Sequence, residues 1–331
     1  MSSIDFPICL YRNLTLLTLM VESWQLKQRQ SLPLEAKVNM TIARIREFYE
    51  SNGGDIYVAF SGGKDSTVLF DIVRSIYPDV KGMFVNTGLE YPEIVEFVKT
   101  YDNVDIIRPK MNFKKVIEKY GYPVISKNVS MALNRYNQTK YPVQKEYRKY
   151  GTKDGVPCGK VGTIPEKWWF LIDAPFKISE NCCGVMKKKP AHKYTKDTGL
   201  KPMIGTMASD SNNRKLYYLK HGCFVNGKNP QLQPLGFWLE KDIWEYIQTR
   251  NLPYSPIYDM GEKRTGCMFC MFGIMQDGSP NRFQRMYYNH RKQYDFCMRP
   301  LDKGGLGIKE VMEYLELSVN PVRYPDLDEF Y

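Results

Sequence analysis

A chain of 331 residues can bury a sizeable core as one large or two modest domains, and 43% hydrophobic with 25% charged residues are globular values. A net charge of +11 favours polyanionic partners or an anionic cofactor. Eight cysteines in so long a chain do not read as a disulfide framework, so a reducing, cytoplasmic compartment is expected.

The apolar run from Ile8 to Val21 is interrupted by Arg12, Asn13, Thr15 and Thr18 and lacks a basic leader and a small-residue cleavage site. It is too short and polar for a membrane span and reads as a helix or a partly ordered extension. A helix is predicted over Leu34–Ser51 with Ile42, Ile45 and Phe48 on one face. Strands are predicted at 55–60, 82–86 and 104–107, alternating with helices at 66–76, 91–101 and 112–120. Further strands near 202–206 and 233–236 precede helices near 240–250, 280–297 and 307–317. Such alternation argues an α/β fold, a parallel sheet covered on both faces. Nucleotide sites in such sheets lie at the carboxyl ends of the strands, where Ser61, Gly88 and Gly205 are expected to converge.

The first strand runs into Ser61-Gly62-Gly63-Lys64-Asp65-Ser66-Thr67 and then into an apolar helical pattern. A Gly-rich turn at a helix N-terminus aims unpaired backbone N–H groups at one point and so makes an anion site. Gly62 and Gly63 allow close backbone approach, Lys64 adds a point charge, and Ser61, Ser66 and Thr67 add hydroxyl donors. The spacing is not GxxxxGK[ST], so this is not a Walker A loop. The bland alternative is an ordinary strand–turn–helix junction.

Cys182-Cys183 are adjacent, and Cys267 and Cys270 form a CxxC. Four thiolates suffice for tetrahedral zinc or an iron–sulfur cluster. Adjacent cysteines do not easily chelate one small ion, whereas a cubane spreads its irons, so 4Fe–4S is preferred to zinc. Buried free thiols are the remaining alternative. Cys9, Cys158, Cys223 and Cys297 show no such pattern.

The SGGKDS run resembles the PP-loop signature of the ATP pyrophosphatase and sulfonucleotide reductase superfamily, whose members act at the α-phosphate of an adenine nucleotide. Cys182, Cys183, Lys187 and Pro190, followed by Cys267 and Cys270, are similar to the CCxxxKxxP…CxxC cluster ligands of the phosphoadenosine phosphosulfate (PAPS) and adenylyl sulfate reductase family. The segments Asn86–Glu93, Gly205–Arg214 and Pro234–Ile247 resemble that family too, so the resemblance covers most of residues 36–290. It implies a PP-loop, adenine nucleotide alpha hydrolase-like sheet with an iron–sulfur-binding C-terminal portion. The implied division is an N-terminal extension at 1–33, a PP-loop domain at 34–260, and a CxxC segment with C-terminal helices at 261–331 packing on the same domain. The implied nucleotide site is Ser61, Gly62, Gly63, Lys64, Asp65, Ser66, Thr67, Thr87, Gly88 and Gly205, with Lys64, Asp65 and Arg214 as catalytic residues. Lys187 is implied to screen the cluster and to face the substrate anion. ATP or adenylyl sulfate/PAPS is the implied ligand, with Mg²⁺ if ATP is used.

Two departures bear on the reaction. Met207 stands where the reductases carry arginine, and after Cys297 the sequence holds no cysteine to match their C-terminal ECGxH nucleophile. About Asn134 to Phe176 reads as an insertion rich in basic and aromatic residues, including Arg135, Tyr136, Lys145, Arg148, Tyr150 and, within Asn134–Trp169, the pair Trp168-Trp169. Such a surface suits nucleic acid, with a solvated basic face as the alternative. Three functions follow as expectations: ATP α-phosphate activation for sulfur transfer or nucleic-acid sulfur modification, reductive release of sulfite, and non-catalytic sensing of nucleotide or cluster. A sulfur donor or thioredoxin-like reductant and a homo-oligomer are compatible partners; no membrane partner is expected.

Overall fold

The computed structural model describes residues 21–225, 227 and 229–319. The chain forms two compact units, each discontinuous in sequence. The first holds residues 21–86, 91–108 and 190–265, and the second residues 87–90, 109–189 and 266–319. A linear division at 33 and 260 misses this interleaving, because contacts rather than chain order define a unit.

The first unit comprises α1 (Ser23–Gln30), α2 (Leu34–Ser51), β1 (Ile56–Ala59), α3 (Lys64–Arg74), β2 (Lys81–Val85), α4 (Pro92–Lys99) and β3 (Val104–Ile107). It continues with α8 (Lys189–Thr198), β7 (Lys201–Ile204), α9 (Asn212–His221), β8 (Phe224–Val225), β9 (Gln231–Leu232) and α10 (Glu240–Arg250). Its sheet has the order β3-β2-β1-β7-β9-β8, parallel throughout except for the β8–β9 pair. The strand order reverses between β1 and β7, the position where α/β sheets open a crevice for ligands.

Register shows both faces covered. Val58 pairs with Gly82, and a Cβ at Gly82 would meet Phe70 Cζ of α3 at 3.0 Å. Ala59 pairs with Met83, and these pack with Tyr57 against Tyr194 and Ala191 of α8. The absence of a side chain at residue 82 therefore lets α3 lie close.

Three local expectations need correction. On α2 the buried stripe is Lys37, Thr41, Ile45 and Phe48, with Ile42 only half-buried. The strand expected at 233–236 lies at Gln231–Leu232, because Pro234 has no N–H for a ladder and Gly236 turns back to Gln233 O at 3.1 Å. The helix expected at 280–297 is two, broken at His290 (φ −141, ψ 59). Of the N-terminal run, Ile8–Met20 lies outside the described residues. Beyond it, Val21 N–H donates to Leu219 O at 3.0 Å and Leu26 is buried, so α1 packs into the unit.

The second unit holds α5 (Phe113–Tyr120), β4 (Val124–Ile125), α6 (Lys127–Gln138), α7 (Pro142–Tyr150), β5 (Thr152–Lys153) and β6 (Val156–Pro157), then β10 (Met271–Phe272), α11 (Arg282–Asn289), α12 (Arg291–Met298) and α13 (Ile308–Tyr314). Asn112 and Ser126 cap α5 and α6 by accepting from Lys115 N and Val129 N. β10 pairs parallel with β4. No helix among the described residues is long and apolar enough to cross a membrane.

Candidate phosphate and thiol sites

β1 ends in a sharp turn that only glycine allows. Gly62 has φ +71, and a Cβ there would lie 2.7 Å from Val98 Cγ2 and 3.0 Å from Ile94 Cγ2 of α4. Gly63 is the N-cap of α3, so the first-turn N–H groups of that helix, which lack intrahelical acceptors, lie at this turn. A Cβ at Gly205, just past β7, would meet Asp65 O at 3.0 Å, which draws Gly205 to the same turn.

The hydroxyls of Ser66 and Thr67 are not free donors as expected. Both donate to Gly63 O, at 2.8 and 3.1 Å, and Ser66 Oγ also accepts from Ser61 N–H at 3.1 Å. They are buried and brace the turn, whereas Ser61 is exposed.

Lys64 is buried, with Nζ 3.4 Å from Asp65 Oδ1 and 3.3 Å from Glu240 Oε1. Burial works against its charge, but Asp65, Tyr258 and Glu240 more than offset this and the net shift is upward. Asp65 shifts upward too, through burial first, opposed by Lys64 and reinforced by Asp210 and Glu240. Its buried Oδ1 has the Lys64 ammonium at 3.4 Å as an ion-pair partner but makes no aligned hydrogen bond. Tyr258 and Thr265 complete the cradle. Tyr258 Oη accepts from Lys64 N–H at 2.8 Å, and Thr265 Oγ1 lies 2.5 Å from where a Gly63 Cβ would be. Tyr258 falls in the Leu252–Asp259 stretch of the chain, yet nothing in its spacing marked it for this turn. Arg214 pairs with Asp210 one turn earlier, and Asp210 also accepts from Met207 N–H at 3.1 Å.

The second unit gathers the four cysteines. Cys182, Cys183, Cys267 and Cys270 line one cavity with Lys187, between the apolar walls of Leu89, Phe113, Pro123 and Met186. The CxxC is a tight turn, Cys270 N–H donating to Cys267 O at 3.1 Å, and the β10–β4 ladder begins directly after it. Arg282 Nη1 holds Cys270 O at 2.9 Å. Gly184–Lys188 is a π-helical turn, an irregularity that recurs at functional sites, and it carries Lys187.

Cys182 donates to Cys183 across 3.9 Å, which with the Lys127 and Lys187 ammonium groups lowers the Cys183 pKa below that of an ordinary thiol. Burial pushes Cys267 up to about 11 and raises Cys270. Burial opposes the Lys187 charge, but Cys267 and Glu90 raise it overall, Glu90 Oε1 lying 3.3 Å from Nζ. The Lys127 charge thus acts on Cys183, although in sequence it adjoins the basic insertion. Thr87, expected at the nucleotide, belongs to this unit; its N–H and hydroxyl both donate to the Glu90 carboxylate at 2.8–2.9 Å. Gly88 follows with φ +75.

No group of three or more His, Cys, Asp or Glu converges at single-ion distance among the described residues. Four thiols with two ammonium groups beside them are a donor set that fits an anionic thiolate-ligated cluster.

The profile of the phosphoadenosine phosphosulfate reductase domain matches residues 55–155 and 162–272. The adenosine 5'-phosphosulfate reductase of Geobacillus kaustophilus is 22% identical over 254 residues, 75% of this chain and 86% of that protein. An uncharacterized protein of Methanocaldococcus jannaschii is 25% identical over 260 residues, 76% of this chain but 50% of its own length. Among solved structures, the phosphoadenylyl-sulfate reductase of Candida auris in a phosphate complex aligns with a TM-score of 0.41 at 13% identity, over 75% of this chain and 96% of that one.

Proposed function

Because the chain belongs to the phosphoadenosine phosphosulfate reductase family, we propose that it binds an adenine nucleotide on Ser61–Thr67 and directs chemistry at the α-phosphate toward sulfur transfer. One observation carries the reading: Lys64 is buried yet charged at the N-terminus of α3, beside the Gly62-Gly63 turn. The backbone N–H groups of the turn bind phosphate oxygens, and Lys64 neutralises charge developing at the α-phosphorus. In-line attack then needs positioning more than acid–base chemistry. Asp65 Oδ1, held only by its ion pair with Lys64, is the atom available to Mg²⁺ when ATP is the nucleotide. Arg214 adds a second cation by exchanging Asp210 for phosphate.

Cys182, Cys183, Cys267 and Cys270 would hold a 4Fe–4S cluster, which when bound supplies an electron-transfer or sulfur-binding centre. Lys187 and Lys127 offset its negative charge. Kinship with adenosine 5'-phosphosulfate reductases favours a second reading, in which a cysteine thiolate attacks the sulfur of adenylyl sulfate or its 3′-phosphate, the nucleotide leaves, and a thioredoxin-like dithiol reduces the resulting thiosulfonate to free sulfite and is itself oxidised to a disulfide. Cys297 is ill suited to be that nucleophile. It is buried, its Sγ donates to Tyr294 O at 3.3 Å, and burial raises its pKa.

Calorimetric titration with ATP and with adenylyl sulfate tests the site. Lys64→Ala should weaken binding by about tenfold or more, the worth of a charge-assisted contact, while Lys153→Ala should leave it unchanged. Equal affinities in wild type and Lys64→Ala would refute the phosphate site. Products formed anaerobically from α-labelled ATP against adenylyl sulfate separate the two reactions.

A further inference from the structure

We infer that the outer face of α7 and the adjoining end of α6 bind single-stranded nucleic acid. No residue of α7 is buried, yet the segment is firmly built. Tyr147 Oη donates to Val161 O at 2.6 Å, Arg148 Nη1 to Gly162 O at 2.7 Å, and Ile164 N–H to Arg148 O at 2.7 Å. Glu146 accepts from the Thr152 hydroxyl at 2.6 Å and from Gly155 N–H at 3.0 Å, clamping the β5–β6 hairpin to the helix. A solvated basic run needs none of this bracing.

The braced face carries rings and cations in alternation. Tyr136, Lys140, Lys145, Lys149 and Tyr150 line a groove of about 350 Å³. Glu146 also lines it, but its carboxylate is engaged by the hairpin. Lys149 Nζ stands 5.4 Å from the Tyr150 ring and 5.0 Å from Trp169, and Lys145 Nζ 5.5 Å from Tyr136. None of Lys140, Lys145 and Lys149 pairs with an acid among the described residues. Tyr141 and Tyr150 are 69% and 54% exposed, so large ring areas face solvent.

Lysine is depleted from the cores of protein–protein interfaces, and a purely electrostatic surface needs no rings. Phosphates satisfy the lysines while unpaired bases stack on the tyrosines, which requires a single strand. This deepens the sulfur-transfer reading by naming an acceptor class and rests on it only for the chemistry, not for binding.

Fluorescence anisotropy with labelled 20-nucleotide single-stranded RNA, single-stranded DNA and a blunt duplex, without ATP, tests it independently of the nucleotide titrations. Wild type should bind the single strands more tightly than the duplex. Lys145→Gln with Lys149→Gln should weaken binding about tenfold and flatten the log K against log salt slope by about 1.4, two phosphates' worth. Tyr141→Leu with Tyr150→Leu should weaken binding about tenfold at unchanged slope, and restoring position 150 as Tyr150→Trp should recover part of it. Thermal melts should stay close to wild type, since Tyr141, Lys145 and Tyr150 are exposed and Lys149 is only half-buried. No binding at low salt, or equal binding of duplex, of polyglutamate and by the tyrosine variants, would overturn the proposal.

Discussion

Gly62 shows how narrowly the phosphate turn is specified. An added methyl would face φ +71 and two side chains of α4 within 3.0 Å, so Gly62→Ala should cost about 1–3 kcal/mol and abolish nucleotide binding. Urea unfolding with calorimetry checks both; wild-type binding in the variant would show that the turn is not the site. The thiols carry a second residue-scale prediction. In cluster-free protein, the Cys182 bond and the Lys127 and Lys187 ammonium groups lower Cys183 below an ordinary thiol, whereas burial raises Cys297. A thiol reacts as thiolate, so its rate grows as pH rises through its own pKa. Iodoacetamide should therefore modify Cys183 at lower pH than Cys267 or Cys270, and Cys297 only after unfolding. Mass spectrometry across pH 5–9 decides; early labelling of Cys297 would contradict the buried assignment.

Between elements, the decisive contact is an ion pair in the first unit. Lys37 Nζ of α2 meets Asp242 Oδ2 of α10 at 2.6 Å, with both side chains essentially inaccessible to water. Lys37 also donates to Gln30 O at 2.8 Å, and Asp242 accepts from Leu239 N–H at 2.7 Å at the start of α10. The pair thus ties α1, α2 and α10 together and sets the first turn of α10, from which Glu240 reaches Lys64. Removing one partner strands a buried charge, so Lys37→Met should destabilise by about 3–5 kcal/mol, and Lys37→Met with Asp242→Asn should recover part of that. Denaturant midpoints test this; additive losses would show that the two residues do not act as a pair. The sequence pattern pointed to Ile42 on this face, because a lysine in a helix ordinarily reads as solvent-facing. Only the position of α10 makes Lys37 an interior residue.

At the scale of the whole molecule, thiols from segments about eighty residues apart meet in one unit. Anaerobically purified protein should be brown with about four irons per chain. Cys183→Ser or Cys267→Ser should bleach it and Cys158→Ser should not. A colourless protein with one equivalent of zinc would overturn the cluster. The alternating strands, the Gly-Gly-Lys turn and both cysteine motifs were legible in the sequence because each is a local pattern: a period, a turn chemistry, a short spacing. So were the α2 and α10 boundaries, which follow from helical periodicity. What the linear pattern could not contain was partnership at a distance. That Tyr258 and Thr265 cover the turn, that Lys127 acts on Cys183 and that Lys37 is buried are all decided by chain segments that meet only after folding. Whether a polar side chain is a free donor, a brace or a buried charge depends on its neighbours in space, and those neighbours are set by how the sheet and its helices pack.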